Sequence, residues 1–201
     1  MKRRKPVQQR SRRRVQAIIR AAAQIIARDG YGGLSTNRLA REAGVPVGSI
    51  YEYFENKDDI LVAVIEHEID EVMRHLQQEV QQVLADPDEE GLRRFLRFLL
   101  TEVTAHAELL RLIAGQIHGQ SDVPAVSRFF AQAEMLVRFL LQQMAAEVVE
   151  DLSLDAYLVT HGLAGVCIGI ANGLPPGKEI DDVVERLLTG IRTIVPSLRR
   201  R

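Results

Sequence analysis

The apolar residues of this chain recur three and four positions apart, a period that commits the backbone to helix. Val15, Ile18, Ile19, Ala22, Ile25 and Ile26 step this way. So do Leu92, Phe95, Leu96, Leu99, Leu100 and Val103, and again Phe129, Phe130, Ala133, Leu136, Val137, Leu140, Met144 and Val148. At 3.6 residues per turn each set becomes one stripe on one helix face. No period-two alternation of any length interrupts the pattern, and no internal repeat appears. The predicted fold class is all-α.

Turn and cap residues divide the helices. Asp29-Gly30 ends the first, because glycine accepts the left-handed conformation past a last turn. Ser35 or Thr36 caps a short second helix containing Leu39, Ala40 and Ala43, which Gly44 stops. Pro46 suits the opening of a third, short and polar on its outer side, with Ile50 and Phe54 turned inward. Asn56 caps a long fourth helix, predicted to end near Ala85, and Asp58 and Asp59 complement its dipole. Asp86 is the predicted cap of the next, with Pro87 at its first position. Further helices are predicted over 108–118, from Phe129 to Val148, over 154–171 and over 180–195. The domain division that follows is a disordered basic arm over 1–10, a small helical domain over 11–57 and a larger helical domain of about six helices over 58–201.

A net charge of −1 conceals an asymmetry. Residues 1–57 carry 13 Lys/Arg against 4 Asp/Glu, and residues 58–201 carry 13 against 23. An anionic partner is therefore expected for the first segment alone. Two short helices joined at Gly44-Val45-Pro46 within that segment form a helix-turn-helix, whose second member can enter a DNA major groove. The same geometry also occurs as a plain hairpin inside helical bundles. The tail MKRRKPVQQRSRRR is too charged to fold by itself, and either solubilises the chain or follows DNA phosphates as a flexible arm.

The segment GYGGLSTNRLAREAGVPVGSIYEYFENKDDIL resembles the DNA-binding signature of the tetracycline-repressor (TetR) family of bacterial regulators. Gly30, Ser35-Thr36, Leu39-Ala40, Ala43-Gly44-Val45, Gly48, Ile50-Tyr51, Tyr53-Phe54, Lys57 and Leu61 carry the match. The departure is Pro46-Val47, where that family commonly has a serine or another polar residue. The resemblance implies a three-helix headpiece, with Ser35, Thr36, Asn37 and Arg38 beside a phosphate. It places Val47, Gly48 and Ser49 at base edges, and Tyr51, Tyr53 and Lys57 on the sugar-phosphate backbone. Either tyrosine could instead cover the headpiece core.

The resemblance further implies a homodimer on a palindromic operator, since one headpiece covers few base pairs. Two elements are expected at the dimer interface: the small-residue face His161, Gly162, Gly165, Val166 and Gly169, and the apolar face Val184, Leu187, Leu188 and Ile191. The alternative for both is closure of the monomer core. A small, largely apolar inducer is expected in the acidic domain. Its candidate lining is Phe95, Leu99, Val103, Phe129, Phe130, Met135 and Phe139, with His106, Arg111, Gln116 and His118 as polar handles. A dimeric DNA-binding protein answering to a protein partner is the alternative.

Other chemistries lack a constellation. A single cysteine, Cys167, excludes an internal disulfide and any multi-cysteine metal site, and suits a reducing cytoplasm. The five histidines include no pair at the spacing of a helical zinc site. No phosphate loop or nucleophile motif appears, so neither a cofactor nor an enzymatic activity is expected. LVTHGLAGVCIGIANGL is the most apolar run, and its His161 and Asn172 suit a buried helix better than a membrane span.

Overall fold

A computed structural model describes residues 9–85, 87–118, 124–145, 150–196 and 198. Among them the chain forms nine α-helices and one 3-10 turn: α1 (Gln9–Asp29), the turn Tyr31–Gly33, α2 (Thr36–Ala43), α3 (Val47–Tyr51), α4 (Lys57–Ala85), α5 (Glu89–Ala105), α6 (Ala107–His118), α7 (Pro124–Met144), α8 (Ser153–Ala171) and α9 (Ile180–Ile194). The all-α architecture expected from the apolar period is the one observed. Two compact units divide after Asp70. The first therefore takes in the opening turns of α4, which bury Ile60, Leu61, Ala63, Val64 and Ile65, so it reaches beyond the boundary at 57 that the charge pattern suggested.

In the first unit, α1 turns Ile18, Ala21, Ala22, Ile25 and Ile26 inward and packs on α2, which packs on α3. Leu39, Ile50 and Phe54 complete that small core. Because α1 begins at Gln9, residues 9 and 10 are helical rather than part of an arm; the rest of the arm lies outside the described residues. Gly44 ends α2 at φ 64°, and the Val45 amide donates to the Ala40 carbonyl at 3.0 Å. This six-to-one bond is the Schellman closure that a left-handed residue permits. Reciprocal bonds then fix the start of α4. The Asp59 amide donates to Asn56 Oδ1 at 2.9 Å, and Asp59 Oδ2 accepts from the Glu55 amide at 3.0 Å.

In the second unit α7 and α6 pack on α8, and α5 packs on α8 and α9. The cap of α5 is Asp88, not Asp86: its carboxylate accepts from the Gly91 amide at 2.7 Å. Asp86 lies outside the described residues. Arg93 of α5 reaches Glu185 of α9 at 2.7 Å, and Arg97 reaches Asp181 at 2.7 Å. These exposed pairs add direction more than stability. The apolar seam between α5, α8 and α9, with Leu96, Leu100, Val184 and Leu188 almost fully enclosed, carries the fold. By length and composition α8 could cross a membrane, but Ala156, Val159, Leu163, Cys167 and Ile170 turn one side of it into this core.

Candidate nucleic-acid interface

Each short helix of the headpiece splits its residues between a core and an outer face. On α3, Ile50 and Ser49 point inward, while Val47 and Gly48 are exposed and Tyr51 is 59% exposed. Five residues make barely more than one turn, so neighbours in sequence part company. Ser49, expected at a base edge, is one of those turned in, with 7% exposure; that expectation is corrected. Tyr53 lies past the end of α3 and is half-buried, midway between its two readings.

At the start of α2, Ser35 has the extended backbone of a cap residue but its side chain makes no capping bond. The first intrahelical donor is the Leu39 amide, bonded to the Ser35 carbonyl at 2.8 Å. The amides of Thr36, Asn37 and Arg38 thus precede the helical ladder, at the positive end of the helix dipole. The Tyr51 hydroxyl lies 3.4 Å from Thr36 Oγ1. Two residues fifteen positions apart are brought side by side, and the exposed face of α3 adjoins the open end of α2.

Arg38 does not belong to this face. Its Nε donates to Glu42 at 3.1 Å, its Nη1 to the Gly33 carbonyl at 3.3 Å, and its Nη2 to Asp29. Arg28 completes the network, donating to Asp29 at 2.8 Å and to Glu42 at 2.9 Å. Asp29 is held below the usual carboxylate range, chiefly by the Arg28 hydrogen bond, and Glu42 chiefly by that of Arg38. The predicted phosphate contact is instead a brace tying α2 to the end of α1 and to the 3-10 turn.

Lys57 opens α4 with its Nζ 4.0 Å from the centre of the Tyr31 ring, and the Tyr31 hydroxyl donates to Asp58 Oδ1. Burial first, then this hydrogen bond, raises the Tyr31 phenol above its ordinary value, so it stays a donor. Sequence reasoning passed over Arg41, exposed one turn after Asn37 on the outer side of α2. It also passed over Arg14, whose guanidinium lies 3.8 Å from Glu52 at the end of α3. The i, i+4 spacing from Asn37 was the available signal for Arg41; nothing local pointed to Arg14.

The residues expected to line a ligand site divide three ways. Phe95 and Val103 are core, with Leu99 and Phe129 half-buried against it. Met135 and Phe139 are not lining residues: they are 71% and 49% exposed, because α7 gives its other side to α8. Phe130 stacks on His161 with ring centres 4.9 Å apart. Arg111 is not free to act as a handle, since it donates to Glu108 at 3.1 Å and to the Ala171 carbonyl at the end of α8. His106 is half-buried between α5 and α6, 3.9 Å from Glu102. The side chains of Gln116 and His118 lie outside the described ones. The polar group that sequence missed is Thr160, whose hydroxyl is buried on α8 with no hydrogen-bond partner.

Of the residues expected at a dimer interface, those on α8 are accessible or half-buried, whereas most of those on α9 are enclosed. Gly162, Gly165 and Gly169 lie exposed along α8, with nothing near the place a Cβ would occupy. His161 and Val166 are half-buried beside them. On α9, Val184, Leu188 and Ile191 are buried within the monomer and do not face outward. Leu187 is half-buried and Ile194 is 37% exposed.

Comparison with known proteins falls on the same segment. The profile of the bacterial regulatory proteins of the tetR family matches residues 18–64. The fatty acid metabolism regulator protein of Bacillus subtilis is 34% identical over 65 residues, 32% of this chain and 34% of that protein. The chain thus aligns with about a third of the length of the curated relatives it matches. Whole-chain likeness is structural. A protein assigned to the TetR family from Mesorhizobium loti superposes with a TM-score of 0.74 at 20% identity, covering 94% of this chain and 98% of its own. The fatty acid degradation regulator FadR of Bacillus halodurans gives 0.63 at 20% identity, covering 100% of both chains. The headpiece, over residues 18–64, thus matches the tetR family of bacterial regulatory proteins, and the chain as a whole shares the fold of solved proteins assigned to that family.

Proposed function

We propose that the protein is a cytoplasmic, ligand-responsive transcriptional repressor that binds a palindromic operator as a homodimer. The observation that carries the DNA reading is the shared face of α3 and α2. Val47, Gly48 and Tyr51 stand outward, and Tyr51 meets Thr36 at the uncapped start of α2. Val47 presents methyl groups of the kind that meet thymine. Gly48 lets the backbone approach the groove. Ser35, Thr36, Asn37 and the preceding amides suit a phosphate, and Tyr51, Lys57 and Arg41 extend the contact along the strand.

Dimerisation is supported by the outer side of α8, where Leu154, Tyr157 and Leu158 are exposed beside three glycines. An apolar patch with small residues beside it suits close approach of a second helix. Half-buried Leu187 and exposed Ile194 add the contribution of α9. A small, largely apolar inducer fits the second unit, whose interior is aliphatic and aromatic with Thr160 as an unsatisfied polar group. Two of the compared proteins are named for fatty-acid regulation, a ligand chemistry of the same apolar kind. Such a ligand regulates only if it prefers the dimer whose headpieces do not straddle both half-sites.

In-vitro selection from random duplexes tests the first part, with an inverted repeat as the expected product. Failure to bind any duplex in dilute buffer would refute it. Thermal shifts across fatty acids and other hydrophobic compounds test the second. A rise in melting temperature with one class is expected, and silence across the panel favours regulation by a protein partner.

A further inference from the structure

We infer that Tyr31 is a positioning residue that holds the Lys57 ammonium ready for a DNA phosphate without neutralising it; this rests on the DNA-binding reading above. A flexible lysine must give up rotamer freedom when it contacts phosphate, which weakens the contact unless something has already ordered it. A carboxylate partner would order it at the cost of cancelling the charge that the phosphate requires. Lys57 pairs with no carboxylate among the described residues, although Asp58 follows it directly in sequence. Its Nζ lies instead 4.0 Å from the Tyr31 ring centre, where the ring's quadrupole attracts the cation and leaves its full charge outward. The same tyrosine donates its hydroxyl to Asp58 Oδ1. One side chain therefore orients the cation and engages the neighbouring anion.

The support of Tyr31 is itself built. It stands in the one-turn 3-10 segment Tyr31–Gly33, whose Gly33 carbonyl accepts from Arg38, and Arg38 is anchored to Asp29 and Glu42. At the other end Lys57 is fixed by the Asn56–Asp59 bond. Turn and helix start are thus independently anchored, so the 4.0 Å contact is held from both sides.

The test is a double-substitution cycle on the full-length protein. Affinity for a selected operator duplex is read by fluorescence anisotropy for Tyr31→Leu, Tyr31→Phe and Lys57→Met, and for Tyr31→Leu in the Lys57→Met background. Tyr31→Leu is expected to weaken binding about threefold to tenfold, the range one cation–π contact supports. Tyr31→Phe, which keeps the ring, stays within about twofold, and Tyr31→Leu has no further effect once Lys57 is methionine. Equal losses from Tyr31→Leu in both backgrounds would overturn the inference, as would a Phe variant no better than Leu. Should Tyr31→Leu unfold the headpiece, NMR decides: the Lys57 ε-methylene protons must show an upfield ring-current shift in the wild type and in Tyr31→Phe, and ordinary lysine shifts there refute it. A wild type that ignores duplex DNA refutes the parent reading instead, and the two failures remain distinguishable.

Discussion

Arg38 and Glu42, one turn apart on α2, lie 3.1 Å from each other, and the same guanidinium reaches the carbonyl of Gly33. That pair turns an arginine expected on the DNA into part of the headpiece frame. Its charge balances carboxylates, and little of it is offered to a polyanion.

Arg38→Met is therefore expected to lower the melting temperature of the headpiece. Log affinity against log salt should keep the wild-type slope, since no phosphate contact is removed. Lys57→Met should do the opposite, flattening the slope and sparing the melt. A flatter slope in Arg38→Met would return Arg38 to the DNA face.

Acid should weaken the same frame. Asp29 and Glu42 titrate below their unfolded values, so their stabilisation is complete above the ordinary carboxylate range and is lost as pH falls through it and below. The melting temperature of the wild type should drop from about pH 5 downward. In Arg38→Met the drop should be smaller, because the partner that depresses Glu42 is gone. Circular-dichroism melts across that range check both.

Three glycines of the headpiece should respond differently to alanine. At Gly44 the space is open but φ is +64°, so Gly44→Ala should cost about 1–2 kcal/mol through backbone strain alone. At Gly33 an added Cβ would lie 2.6 Å from the Asp29 Cβ, and the brace around Arg38 must shift to admit it. At Gly48 nothing lies within 4 Å, so Gly48→Ala should leave the melt unchanged or slightly raised while weakening operator binding. Unaltered binding by Gly48→Ala would remove the close backbone approach from the proposal.

Leu188 and Leu158 separate core from interface. Leu188→Ala should destabilise the monomer fold by about 2–5 kcal/mol, as truncation in a closed core does. Leu158→Glu, on the 44% exposed outer side of α8, should keep its helical signal and sediment as a monomer. If Leu158→Glu stays dimeric at micromolar concentration, the interface lies elsewhere.

Asp88→Ala should cost about 1 kcal/mol by leaving the Gly91 amide without its capping acceptor. A loss of that size in denaturant melts checks that Asp88, and not Asp86, is the cap.

Much of this protein was legible before folding because helix is a local structure. The apolar period, the Asn56 cap and the left-handed glycine at 44 depend on neighbours within a turn or two, so sequence alone determined the all-α class and the short third helix, although α7 starts at Pro124 rather than at the expected Phe129 and α5 is capped by Asp88. Facing is a different matter. Ser49 and Tyr51 are two positions apart, yet one is enclosed and the other exposed. Val184 and Leu188 form as apolar a stripe as any interface would need, but α5 and α8 cover it. Arg38 was charged and well placed in sequence for a phosphate, until Asp29 and the Gly33 carbonyl joined Glu42 around it. Only tertiary structure decided these, because burial and ion pairing depend on which surfaces meet, and those surfaces belong to residues distant along the chain.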